Sequence, residues 1–263
     1  MIIGVNVTSP RGFDHAEAYW AEGLVDYFEL MLDNFLRVDP DLLARKMDGR
    51  PTGIHIMSSR FLHRTQDELS ELAGRMRRVL AAIQPVYVSD HLGLHMVDSQ
   101  FLPDMVEVDY DRPRPLITAI EQWRDLIGYD LLLENFPSCS SSGKGQAAFF
   151  AEMARAIEVR PLLDLSNAIV AERNGGDAAA EWLTAGMEIA HCHISGYRPS
   201  DLDPSFIIDS HDQPVSVESW LLLERAWTEG GRIATLTVER DRVEDLDEWR
   251  SDLRRARGVA ATA

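Results

Sequence analysis

Histidines and carboxylates recur in this chain at the ends of short apolar runs. His55 follows GI, Asp90-His91 follow VYVS, Glu134-Asn135 follow LLL, and Asp164 follows PLL with Asn167 just beyond it. The second half repeats the pattern: His193 closes AHCH, Asp209 and His211 lie in the segment after it, and Glu239 and Asp241 follow ATLTV. Imidazole and carboxylate ligands with no thiolate suit zinc, manganese or non-heme iron, and carboxylates also bridge neighbouring ions. A charged group ending an apolar run is costly to keep ionised without a cation or a partner. A single His or Asp in such a place is ordinarily a capping or hydrogen-bonding residue; it is the repetition along the chain that points to a shared metal centre. His191 and His193 alternate within one run, which sends them to opposite or axially different environments. His193 lies nearer the end of the run and is the expected ligand.

Other chemistries are poorly supported. His15, His63 and His95 lack a strand-end context and read as surface or structural residues. Ser89 and Ser210 stand near His91 and His211, but a nucleophile and its base are seldom sequence neighbours, and those histidines are better used as ligands. No GxGxxG or GxxxxGK[ST] pattern offers a phosphate cradle. The tryptophans, Trp20, Trp123, Trp182, Trp220, Trp227 and Trp249, fall on helical segments and read as packing residues.

The elements that must carry these residues alternate. Eight apolar or β-branched runs read as strands: Ile2–Val7, Asp26–Met31, Gly53–Met57, Val86–Asp90, Asp130–Glu134, Pro161–Leu165, Ile189–Ile194 and Ile233–Val238. Continuous apolar runs are characteristic of parallel strands covered on both faces. Between them, helical periodicity covers Ala16–Gly23, Pro40–Met47, Gln66–Ile83, Pro115–Leu126, Gln146–Glu158, Ala178–Ala185 and Ser216–Glu229. Asp67, Ser70 and Glu71 supply a helix start and Gly230-Gly231 a stop. This alternation predicts a parallel β/α barrel, an α/β fold of the TIM-type (β/α)8 kind, whose strand ends all open on one face. Ser138–Gly145 reads as a loop rather than a boundary, so residues 1–263 are expected to form one barrel domain, with a frayed tail from Val259 to Ala263.

Composition agrees. At 263 residues the chain fits one barrel of roughly 250 residues. Its 45% hydrophobic content implies a substantial core, and its net charge of −17 disfavours nucleic acid and anionic membranes as partners. The two cysteines, Cys139 and Cys192, form no CxxC, which fits a reducing cytoplasm. The start resembles no export signal, and no stretch approaches the roughly 18 apolar residues of a membrane span.

Read in succession, HIMSSRFL, PVYVSDHLG, LENFPS, LLDLSNAIV, HISGY, DSHD and TVERD resemble the motifs of the multinuclear non-heme iron-dependent oxidative enzymes, from Met1 to about Arg257. NVT, FELMLDNF, HIM, PVYVSDH, SNAI and the ERD ending are most like the methanobactin-biosynthesis branch. Leu165-Ser166 departs from the pair common in the wider family, which bears on subfamily rather than chemistry. The resemblance implies a TIM-type barrel with iron ligands at His55, His91, Glu134, Asp164, Asn167, His193, Asp209, His211 and Glu239. It implies two or three iron ions in mixed Fe(II)/Fe(III) state, with Glu134 and Asp164 as suitable bridges and Asp241 as a proton acceptor. It further implies a dioxygen-using oxidation of cysteine in a ribosomal precursor peptide (MbnA-like) to oxazolone and thioamide groups, carried out in a heterodimer with an MbnC-like partner. The alternatives are another modification of peptidyl cysteine by a related iron oxidase, a divalent-metal barrel isomerase or phosphodiesterase, and a non-catalytic peptide-binding barrel.

Overall fold

A computed structural model describes residues 1–97, 100–138, 144–229, 232–241 and 246–261. The first half runs β1 (Ile2–Val7), α1 (Pro10–Ala21), β2 (Tyr27–Met31), α2 (Pro40–Met47), β3 (Thr52–Ile56), α3 (Gln66–Ile83) and β4 (Tyr87–His91). A hairpin of β5 (Leu94–Val97) and β6 (Gln100–Val106) precedes α4 (Pro113–Ile127), β7 (Leu131–Glu134), α5 (Gln146–Ile157), β8 (Arg160–Asp164), α6 (Leu165–Arg173) and α7 (Glu181–Thr184). After β9 (His191–Ile194) a second hairpin, β10 (Tyr197–Pro199) and β11 (Ile207–Asp209), leads to α8 (Val217–Thr228), β12 (Thr235–Val238) and α9 (Leu246–Ala260).

Eight of these strands close in the order β1-β12-β9-β8-β7-β4-β3-β2, every pair parallel. This is the (β/α)8 barrel expected from the alternation of runs, and each expected strand lies within two residues of an observed one. Tyr27, Tyr87, Leu132 and Leu162 pack together inside it as a buried layer. Two glycines make room for the tyrosines: a Cβ on Gly4 would stand 2.4 Å from the Tyr27 ring, and one on Gly53 would stand 2.6 Å from the Tyr87 ring.

Several local expectations are corrected. The strand expected at Pro161–Leu165 stops at Asp164, and Leu165–Arg173, for which no helix was expected, form α6. Its stripe is hard to read because Leu165, Ser166, Asn167, Ala168, Val170 and Ala171 are all buried. The helix expected at Ala178–Ala185 contracts to Glu181–Thr184. α3 is capped by a reciprocal pair, Thr65 and Glu68, rather than by Asp67, Ser70 and Glu71. The tail is not frayed at Val259, which is buried on α9 beside Trp249, Leu253 and Ala256. Gly230-Gly231, and Cys139 within the Ser138–Gly145 loop, lie outside the described residues. Cys192 is buried as a free thiol. Among the described residues no helix is long and apolar enough to cross a membrane.

Candidate metal centre

Strand pleating selects which side chains enter the barrel, and parallel register sets their height. In β4 the inward residues are Tyr87, Ser89 and His91, so Asp90 points outward, where its carboxylate accepts hydrogen bonds from Trp123 Nε1 (2.7 Å) and the His91 backbone N–H (2.8 Å). Asp90 is therefore no part of the centre. Register places His55 beside Ser89, His91 beside Glu134, Asp164 beside His193, and Thr237 beside His193. His191 and His193 do not face opposite ways: two apart in one strand, they share the inward face and differ only in height, His191 Nδ1 meeting Thr235 Oγ1 at 2.9 Å, one layer below the mouth.

At the mouth, His55 Nε2 and His91 Nε2 face each other at 3.0 Å, and Glu134 Oε2 lies 3.3 Å from each. A second group joins Glu134, Asp164, His193 and Glu239, whose ligand atoms all lie within 4.8 Å of one another. Here His193 Nδ1 is 3.3 Å from Glu239 Oε2 and 3.6 Å from Glu134 Oε1. Glu134 belongs to both groups, as a bridging carboxylate would.

Asn167 enters through helix α6. Asp164 is the N-cap of that helix, accepting the Asn167 backbone N–H at 2.7 Å through Oδ1. The cap turns the Asn167 side chain toward the site, where Nδ2 donates to Glu134 Oε1 (3.3 Å) and to the Asn135 carbonyl (3.0 Å). Asn135 does not join the ligand atoms; it bridges β7 and β8 through the Asp164 backbone. Asp209 and His211 form an outer pair, with His211 Nε2 2.9 Å from Asp209 Oδ1 and His211 Nδ1 3.9 Å from Glu239 Oε2. They sit at and just past the end of β11, not in a plain loop, and connect to the inner groups through Glu239. Asp241 is further out: its side chain is 49% exposed, it accepts Asn6 Nδ2 at 3.2 Å, and it lies 3.5 Å from His211 Nδ1.

Glu29 is the residue that strand-end reasoning misses, because it sits in the middle of β2. It is 1% exposed and forms a third potential ligand group with His55 and His193. Its Oε2 accepts from His193 Nε2 at 2.7 Å, from the Tyr87 hydroxyl, and from Thr237 Oγ1 at 3.4 Å. In a neutral, metal-bound His193 that bond would keep the proton on Nε2 and leave the Nδ1 lone pair, which faces Glu134 and Glu239, to the ion. Ser89 does the same for His55: its hydroxyl donates to the Ile54 carbonyl at 3.3 Å and accepts His55 Nδ1 at 2.8 Å, leaving Nε2 toward His91. The sequence signal for Glu29 was a charge inside an apolar run, FELM, the same signal that marks Glu134.

The donors fit a cation on two counts. Glu29 Oε1, Glu134 Oε2, Asp164 Oδ2, Asn167 Oδ1 and His193 Nδ1 are buried without a hydrogen-bond partner among the described residues, and unpaired buried polar atoms are rare because each costs about 1–3 kcal/mol. The set is also all nitrogen and oxygen, as iron, manganese or zinc would take. Without a cation the electrostatics are strained. Burial pushes Glu134, Asp164 and Glu239 up to about 7. Burial also opposes ionisation of Glu29, yet His193 beside it holds that carboxyl down at about 2. For His193 burial works against the cation, but Glu239, Glu29 and Glu134 outweigh it and raise its pKa well above the ordinary value. Burial lowers His55 to about 4 and takes His91 well below the usual imidazole range.

Residues 11–261 match the family described as RiPP precursor modification enzyme MbnB/TglH/ChrH. A UPF0276 protein of Anaeromyxobacter sp. (strain Fw109-5) is 28% identical over 264 residues, spanning 96% of this chain and 92% of that one. A UPF0276 protein of Caulobacter vibrioides (strain NA1000 / CB15N) is 26% identical over 244 residues, spanning 89% and 86%. Among solved structures, D-allulose 3-epimerase from Methylomonas sp. superposes with a TM-score of 0.64 at 14% identity, covering 98% of both chains. Endonuclease IV from Thermus thermophilus superposes with a TM-score of 0.61 at 16% identity, covering 100% of both. At such identities the structural likeness is one of fold.

Proposed function

The chain belongs to the MbnB/TglH/ChrH family of RiPP precursor modification enzymes, and from that premise we propose that it is an iron-dependent oxidase of cysteine in a ribosomally made precursor peptide. The observation that supports this reading most is the cluster of buried, unpartnered imidazole and carboxylate atoms at the barrel mouth. His55, His91 and Glu134 would hold one ion, and Glu134, Asp164, His193 and Glu239 a second. Asp209 and His211, with Glu239, offer an outer position. Iron bound there would supply one-electron redox steps with dioxygen and Lewis acidity toward a cysteine thiolate.

The protein's own groups do the rest. Glu29 and Ser89 fix which nitrogen of His193 and His55 faces the cluster. Access is at the barrel mouth, where His211 and Asp209 are 16% and 17% exposed and His91 10%, whereas His193 and Glu134 beneath are 0% and 3% exposed. Asp241 is at hand there to accept a proton from a peptide amide nitrogen during ring closure, held in place by Asn6. In the MbnB-like form of this reading the product carries oxazolone and thioamide groups, and an MbnC-like subunit presents the peptide.

The test is metal analysis of the purified protein, followed by aerobic incubation with a cysteine-containing precursor peptide, reading oxygen uptake and peptide mass. Iron, oxygen consumption and a loss of hydrogens without backbone cleavage are expected. A redox-silent zinc or magnesium protein that leaves oxygen and peptide unchanged would overturn the proposal.

A further inference from the structure

Beside the His55 and His91 end of the cluster lies a positively charged rim that the reaction so far leaves unused. The segment joining β3 to α3 turns at Arg60, whose φ of 55° is in the left-handed region. For a non-glycine residue this conformation is unfavourable and is kept where surrounding structure and function demand it. Arg60 carries a buried Nε with no hydrogen-bond partner among the described residues. Its guanidinium lies 5.3 Å from the ring centroid of Phe101, which is 68% exposed on β6.

The hairpin that brings Phe101 there is held tightly. A Cβ on Gly93 would stand 2.3 Å from Met105, so the chain folds back on itself just after His91. The His95 backbone N–H donates to His63 Nε2 at 3.1 Å, tying the hairpin to the Arg60 turn. Arg64 Nε donates to the Ser59 carbonyl at 2.7 Å, leaving the rest of its guanidinium for other partners. Among the described residues neither Arg60 nor Arg64 makes a direct ion pair with a carboxylate; Arg64 acts on Glu68 only at longer range, helping to lower that carboxyl's pKa. Burial, and then Arg60, lower the pKa of His63 and of His95, so both imidazoles stand beside the arginine as neutral hydrogen-bonding groups. His63 and His95, read from sequence as surface or structural residues, are half-buried and joined to each other by the hydrogen bond from the His95 backbone.

We propose that Arg60, Arg64 and the imidazoles of His63 and His95 form a carboxylate-binding subsite on the rim. It takes a carboxylate of the substrate peptide and so sets the register in which a cysteine reaches the cluster. An arginine with no direct carboxylate partner among the described residues and an aromatic face beneath it is suited to a planar anion, which it binds through paired N–H groups. This rests on the peptide-modifying reading above.

The test uses the full-length metal-loaded protein and three fluorescein-labelled synthetic peptides that share one cysteine. One has Asp and Glu side chains and an amidated end, one is its Asn and Gln twin, and one has the neutral side chains with a free terminal carboxylate. Anisotropy should show about tenfold tighter binding of at least one carboxylate peptide over the amidated neutral twin, weakened by salt. Which of the two binds tells side chain from terminus. The preference should vanish in an R60M/R64M protein that keeps its metal content and circular dichroism. It should survive in R45M/R78M, which removes the same charge from helices α2 and α3. Equal binding of all three peptides, or a preference that persists in R60M/R64M, would overturn the subsite. Peptide mass is scored separately: preference without conversion upholds the subsite and removes the enzymatic reading, and conversion without preference does the reverse.

Discussion

A cation entering this site must first compete with protons. Glu134, Asp164 and Glu239, raised by burial to about 7, are largely neutral below that pH and ionised above it. Uptake of Fe(II) under anaerobic conditions should therefore tighten from about pH 6 to about pH 8, releasing fewer protons at the upper end. Calorimetry in buffers of different ionisation enthalpy measures both, and a pH-independent affinity would contradict the assignment. His91→Ala or Glu134→Ala should abolish metal loading and turnover together, whereas Asp241→Asn should keep the metal and lose product; a purified, active His91→Ala protein would remove the centre as assigned. Glu29→Gln keeps the side chain's size but no longer accepts with a full charge from His193 Nε2. Metal affinity should fall about 10–100-fold with the circular dichroism unchanged, as for loss of an outer carboxylate–imidazole bond. His91, Glu134, Asp164 and Glu239 are legible because each ends or directly follows a run, and His55 and His193 because each stands one residue from the end of its strand. Glu29 is not, because a strand interior looks like core until the barrel closes around it.

Two elements carry chemistry and architecture at once. Asp164 caps α6 with one oxygen and leaves the other unpartnered in the cluster. Because its folded pKa is raised, ionisation is disfavoured in the fold: the stability cost grows as pH rises from the ordinary carboxylate value to about 7 and is complete above it. Asn also caps well. Metal-free Asp164→Asn should accordingly unfold at a temperature equal to or above that of metal-free wild type at alkaline pH, while binding metal more weakly. Thermal melts of chelator-stripped proteins test this, and a markedly lower midpoint would show that the charge, not the cap, holds α6. In β3 the constraint is steric. Gly53→Ala would drive a methyl into the Tyr87 ring beneath Glu29 and should cost about 1–3 kcal/mol, seen as a lower denaturation midpoint. α6 itself escaped sequence reading because burial on nearly all sides erases the apolar stripe that marks a helix.

At the scale of the molecule, the barrel converts eight strand ends scattered over the chain into one mouth, and the ligand groups join strands far apart in sequence. Metal bound only by the folded barrel should stabilise it by mass action, by about 2.7 kcal/mol when free metal is a hundredfold above Kd. Chelation should lower the melting temperature by several degrees and Fe(II) should restore it; identical melts with and without metal would place the cation elsewhere.

The amino-acid sequence determined the barrel and most of its candidate ligand set, because parallel buried strands need continuous apolar runs and a charge at or near the end of such a run announces itself. Tertiary structure decided the rest. It turned Asp90 outward to Trp123, seated Asn167 through the Asp164 cap, and separated His191 from His193 by one layer. It recruited Glu29 from the middle of β2 and gathered Arg60, His63 and His95 onto the rim. Each of these depends on register, pleat and loop closure between segments remote in sequence, which no local pattern encodes.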